Sequence, residues 1–296
     1  MSLFCRHSRM TANCPICSKE LEAELKAKAP PRPGRARAAT GGARRASAPG
    51  ARRSRMVTHK VARAVDDGYR NPLAPGLRAT ADAERLAAAL WQAQVRLAPP
   101  GPHPAVAAET DREEATWLAF LLALAPPELH EALIVGRPSW AGGSPPELPG
   151  VNPETITSYR AWAERAGSQA AAFEGEADWT PERRFGRVFE RLALPGLGRA
   201  KRFELLVTLG SAGLYRLEAD SLHLGGEDDA TSVAAKRLLV SGDRLLLDRR
   251  ARELAAAAEM SVGALDYGLA VWGDSGIAVD DDAVLPAALR GALALP

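Results

Sequence analysis

From about residue 66 onward, apolar positions recur at three- and four-residue intervals, and almost nothing alternates as a strand would. Thr80 stands where a cap would precede a helix running to about Leu97, with Leu86, Leu90 and Val95 on its apolar side. Thr110 and Glu113 form a capping-box pair ahead of TWLAFLLALA, and a new segment, PPELHEAL, restarts after Pro126 and Pro127 because proline cannot sit inside a helix. Residues 136–153 are too rich in Gly and Pro for either regular element, which predicts an ordered loop or lid. A helix is then expected from about Glu154 to Phe173, carrying Ile156, Tyr159, Trp162 and Ala163 at helical spacing. Further helices are expected over ATSVAAKRLLV, from about Asp243 to Glu259, and after the cap Ser261.

Between these segments lies the most informative stretch, FGRVFERLALPGLGRAKRFELLVTLG. Thr180 and Pro181 give an N-cap and a first-turn proline, and Phe185, Val188, Phe189 and Leu192 form one apolar stripe. The chain turns through LPGLG and resumes with Phe203, Leu206 and Val207 on a second stripe. The pattern spells helix, glycine hairpin, helix, over 181–210. Gly196 and Gly198 can take positive φ, and the helix that follows offers unpaired N–H groups at a positive dipole end, which is a phosphate seat needing no side chain. Arg199, Lys201 and Arg202 add charge where an anionic strand would run. The alternative is an ordinary helix–helix turn capped by glycine.

Composition changes this picture at the N-terminal end. Through Lys60 there are 14 Lys and Arg against 3 Asp and Glu, so the remaining chain is net acidic within an overall charge of +2. The eleven basic residues from Lys26 to Lys60 have no acidic residue among them, and the Pro, Gly, Ala and Ser around them cannot supply a core. A disordered linker over 26–65 is expected, either attracting nucleic acid through its charge or acting as a solvated spacer. The apolar stretches are broken by charge well short of the roughly 20 residues a membrane span needs, and MSLFCRHSRM lacks the apolar core of a signal peptide, so a cytoplasmic location is expected.

All three cysteines fall within the first seventeen residues, and with one histidine they read C-x-H-x6-C-x2-C. Cys5, His7, Cys14 and Cys17 thus form two close pairs separated by a loop, the arrangement of a closed structural Zn²⁺ site, with Pro15 favouring the tight turn in CPIC. A segment of this size has no core, so metal binding would have to supply its folding energy. Free thiols or a redox pair remain the alternative.

LPGLGRAKRFELL resembles the helix-hairpin-helix element of the DNA glycosylase superfamily. The resemblance implies that amides around Leu194, Pro195, Gly196, Leu197 and Gly198 grip a DNA phosphate beside an everted nucleotide, with Arg199, Lys201 and Arg202 nearby. It also implies an aspartate beginning the segment after the second helix, and ADSLHL puts Asp220 there. The lysine of the bifunctional members falls on Ala200, with Lys201 one position later. The pairing of CRH…CPIC with this body is similar to the alpha-glutamyl/putrescinyl thymine pyrophosphorylase family, which implies an amine replacing pyrophosphate on a flipped, modified thymine in duplex DNA.

The combined expectation is an all-α chain: a zinc module at 1–25, the linker at 26–65, a glycosylase-like helical domain at 66–280 and a tail at 281–296. Asp220 and Lys201 are the candidate catalytic residues, DNA is the partner at the nucleoid, and a non-catalytic DNA-binding or repair protein, or a glycosylase, is the competing reading. Trp140, Tyr159, Trp162 and Trp179 stand either as stacking partners for a flipped base or as core.

Overall fold

In a computed structural model of the chain, residues 64–142, 147–225, 229–274 and 283–296 are described. The four proposed zinc ligands and all but the last two residues of the basic linker lie outside them. Every regular element among the described residues is helical, as the spacing predicts. In chain order these are α1 (Thr80–Leu97), α2 (Pro104–Ala108), α3 (Arg112–Leu124), α4 (His130–Gly136), α5 (Pro153–Arg165), α6 (Gln169–Glu174), α7 (Pro181–Arg191), α8 (Arg199–Ser211), α9 (Ala230–Leu239), α10 (Arg244–Ala257), α11 (Val262–Gly273) and α12 (Ala287–Ala292). No single helix among them is long and apolar enough to cross a membrane.

Two apolar helices organise the core. Every residue of α3 from Ala115 to Leu124 is buried, as a helix apolar on all sides must be. On the other side α11 packs against α1 and α9. Its Gly268 lets α1 approach: a Cβ there would stand 2.7 Å from Leu90 Cδ2 and 3.0 Å from its Cα. Helix α8 links the two groups, touching α3, α7 and α1. At the end of the chain, the Asn71 side-chain amide donates to the Ala292 carbonyl at 2.9 Å, and Leu293 is fully buried, so the tail is built into the body.

Three local expectations change. Asp111, not Thr110, caps α3, accepting from the amides of Glu113 at 2.8 Å and Glu114 at 3.3 Å. Glu113 instead reaches across to the start of α6, accepting from the amides of Gln169 at 3.0 Å and Ala170 at 2.8 Å. The helix expected over Glu154–Phe173 is two helices, because Gly167 takes φ +92° and Ser168 restarts the chain by accepting from the Ala171 amide. Thr80 lies inside α1, whose N-cap is Ala79, and Val95 points outward at 55% exposure.

The aromatic residues resolve to packing. Tyr159 is fully buried, its ring stacked on Phe120 at 3.6 Å, and its hydroxyl donates to Gln169 Oε1 at 2.6 Å. Trp162 and Trp179 are buried, and Trp140 lies half-buried against Trp117 and Tyr159.

Candidate functional site

Helix α7 forms as its sequence dictates: Thr180 accepts from the Arg183 amide at 3.2 Å, Pro181 fills the first turn, and Phe185, Val188, Phe189 and Leu192 are all buried. The following turn closes with the Leu197 amide donating to the Leu194 carbonyl at 3.0 Å. Leu197 is buried and anchors the turn, Leu194 is half-buried, and Pro195 and Gly196 face solvent. Gly196 is required twice over, by its φ of +74° and because a Cβ would stand 2.1 Å from Thr155 Oγ1 at the start of α5. Gly198 differs from expectation: its φ of −64° suits any residue.

Gly198 is the N-cap of α8 and supplies no side-chain acceptor. The starts of α1, α2, α4 and α12 likewise lack a side-chain cap, whereas α3, α5, α6, α7, α9, α10 and α11 are capped by the side chains of Asp111, Asn152, Ser168, Thr180, Asp229, Asp243 and Ser261. The first turn of α8, with its positive dipole end, therefore begins without a side-chain cap beside an exposed turn.

The basic side chains that follow do not face outward there. Arg199 is 1% exposed: its Nε donates to the Leu222 carbonyl at 3.1 Å, and its guanidinium pairs with Asp266 and, at 3.5 Å, with Asp229. Lys201 Nζ donates to the Leu124 carbonyl at 3.1 Å, where a cation complements the C-terminal end of α3. Arg202 donates to the Phe189 carbonyl at 3.1 Å and lies over the Phe189 ring at 4.3 Å. Each finds a carbonyl or carboxylate that the fold would otherwise leave short of a donor, and Arg199 in particular cannot meet a strand.

Asp220 is exposed, in the segment whose Leu222 carbonyl is held by Arg199. Its charge opposes the fall that burial imposes on the pKa of His223. The structure brings this segment beside the start of α8 but leaves Asp220 out of the nearby cavity.

That cavity, about 130 Å³, opens between α8 and α11. From α8 it takes Ala200, Phe203, Glu204, Val207 and Thr208, one face at i, i+3, i+4, i+7 and i+8; from α11 it takes Gly263, Asp266, Tyr267 and Ala270. Leu97, Pro102 and Thr231 complete the wall. Burial raises the Asp266 carboxyl to about 6, against the pull of Arg199 and of the Thr231 hydroxyl. Burial likewise raises Glu204, opposed by Arg96, His130 and Lys201. Two carboxyls in one small, mostly apolar space, on helices of which one starts uncapped, make this the site with the most chemical capacity. A larger open cleft of about 710 Å³ includes Arg112 and Arg184, but Arg184 is spent on the carbonyls of Glu174 and Arg216 and Arg112 on Glu174 and Leu214.

Residues 149–283 match the family model described as alpha-glutamyl/putrescinyl thymine pyrophosphorylase clade 3. This is the family that the sequence resembles, and the matched segment runs from just before α5 to beyond α11. It thus includes the hairpin, the uncapped start of α8 and both carboxyl-bearing walls of the cavity. No curated protein and no solved structure matches the chain.

Glu204 and Asp266 are site residues that no motif in the sequence singles out. The available signal was Asp266 itself, a lone acid inside the otherwise apolar VGALDYGLAVWG.

Proposed function

We propose that this protein acts on a modified thymine base in duplex DNA, in the manner that the matched family's description names, and that the α7–α8 hairpin receives a backbone phosphate. The observation that carries the reading is the start of α8, without a side-chain cap, beside the exposed Pro195–Gly196 corner, inside the matched segment. In this reading the hairpin is a helix-hairpin-helix phosphate seat, the base is everted from the stack, and main-chain amides rather than Arg199, Lys201 and Arg202 make the grip. Asp220, exposed beside the start of α8, is assigned the carboxylate role at the reacting nucleotide. Incubating the protein and an amine, glutamate or putrescine, with DNA bearing 5-substituted thymines, then digesting to nucleosides for mass spectrometry, tests it. A new amine-substituted thymidine supports the reading, and its loss in Asp220→Asn with DNA affinity retained supports the residue; unchanged nucleosides under every amine contradict the catalytic reading.

A second reading, non-catalytic DNA binding, is favoured by the inward engagement of Lys201, which donates to the Leu124 carbonyl and so is held away from a reacting nucleotide. It is distinguished by duplex affinity with no altered nucleoside. We also propose that Cys5, His7, Cys14 and Cys17 hold one structural Zn²⁺. Elemental analysis should find one zinc per chain fewer in Cys14→Ser, and equal content would contradict the site.

A further inference from the structure

We infer that the cavity between α8 and α11 is the seat of an uncharged pyrimidine ring, and that Glu204 fixes the ring's N–H edge. This rests on the reading above and names where its base would go. The walls are largely apolar: Phe203, Val207, Ala270, Leu97 and the half-buried Tyr267 leave a space of about 130 Å³. The polar edge comes from Glu204 and Thr208 on α8, since Asp266 on α11 is held by Arg199 and the Thr231 hydroxyl, so a ligand with hydrogen-bond donors on one edge and apolar faces is complementary.

Charge narrows the class. An anion is disfavoured, because two carboxyls line the space, Arg199 behind Asp266 is already committed to Asp266 and Asp229, and Arg96 is engaged over the Tyr267 ring at 4.8 Å. A phosphate or pyrophosphate therefore belongs outside. A cation is disfavoured for the opposite reason: Arg199 offsets Asp266, while Arg96, His130 and Lys201 all act on Glu204 from the surrounding elements. What remains is a neutral donor-bearing ring. The position agrees. Ala200, in the first turn of α8, lines the cavity, and Glu204 follows one turn on, about 6 Å along the axis at about 1.5 Å per residue. A phosphate at the uncapped helix start and a ring against Glu204 are then parts of one nucleotide.

The test is an NMR titration of the full chain with the free base 5-hydroxymethyluracil, alongside 1,4-diaminobutane and inorganic phosphate. The base should bind at one site; Glu204→Leu should weaken it about tenfold or more and Glu204→Gln, which keeps an acceptor, much less. Ala200→Phe and Ala270→Phe, which fill the cavity from either helix, should abolish it while circular dichroism and melting temperature confirm the fold. Base binding that survives both filling variants overturns the inference, as does no base binding at all, or a diamine that competes for the same site and is lost in Glu204→Leu. Duplex affinity is measured separately: its absence, with the base still bound, would contradict the DNA reading and leave this seat intact.

Discussion

Helices α3 and α8 are both 13 residues long and lie against each other, yet they are finished differently. α3 is buried from Ala115 to Leu124, its start is capped by Asp111, and the Leu124 carbonyl at its end receives Lys201. α8 gives only part of its circumference to the core, through Phe203, Leu205, Leu206 and Leu209, turns Ala200, Glu204 and Val207 to a cavity, and begins with no side-chain cap. A helix satisfied at both ends and on all sides has nothing left to offer a ligand. One that begins without a side-chain cap and turns part of its face to a cavity is where chemistry can be placed.

The largest effects should come from breaking what each helix depends on. Phe120→Ala in α3 removes a stacked, fully buried ring and should cost about 3–5 kcal/mol in denaturant unfolding. Arg199→Ala in α8 should cost a similar amount for a different reason, leaving the Asp266 carboxylate buried without its partner. If Arg199→Ala unfolds at the wild-type midpoint, the view that α8 is pinned by charge fails.

Next in size is the turn. Gly196→Val meets both the positive φ and the Thr155 hydroxyl and should destabilise by roughly 1–3 kcal/mol while weakening duplex binding; unchanged binding in the folded variant would separate the turn from DNA.

A third effect is set by pH. His103 is 8% exposed and packs edge-on against His130 at 5.2 Å. Burial first, then the charges of His130 and Arg96, lower it to about 4. Because its folded pKa lies below the unfolded value of about 6.5, the unfolded chain binds the proton more readily, and stability is lost as pH falls from about 6.5 to about 4. The loss is on the order of 2 kcal/mol after allowance for solvent on its open side. Asp266, raised to about 6, acts in the opposite sense, its neutral form favouring the folded state as pH falls. His103→Phe should flatten the acid side of the stability curve, and an unchanged curve would show that His103 does not govern it.

The smallest effect separates the two helices most finely. Lys201→Met should cost about 0.5–1 kcal/mol, by removing a cation from the α3 terminus, and leave the salt dependence of duplex binding as it was. A shallower salt slope would return Lys201 to the phosphate contacts that its sequence position suggests.

These contrasts show what could be read in advance. The starts of α7, α10 and α11 were legible because Thr180, Asp243 and Ser261 act locally, each accepting from an amide three residues on. The break between α5 and α6 was less so, since Gly167 and Ser168 also fit an uninterrupted apolar spacing. Glu113 was misassigned because its partners are Gln169 and Ala170, more than fifty residues away, and sequence distance hides such a bond. The direction of Arg199 was hidden in the same way: only folding brings Asp229 and Asp266 to it. The hairpin was legible as a turn and a helix start, while the cavity, assembled from α8 and α11, was not.

The uncapped start of α8 is tested most directly by capping it. Gly198→Asp places a capping carboxylate at a backbone conformation of φ −64° and ψ 172° that accepts any residue. Measured by fluorescence anisotropy against duplex DNA over a range of salt, the variant should fold with equal or slightly greater stability and bind at least tenfold more weakly than wild type. Affinity equal to wild type in the folded, capped protein would contradict the account.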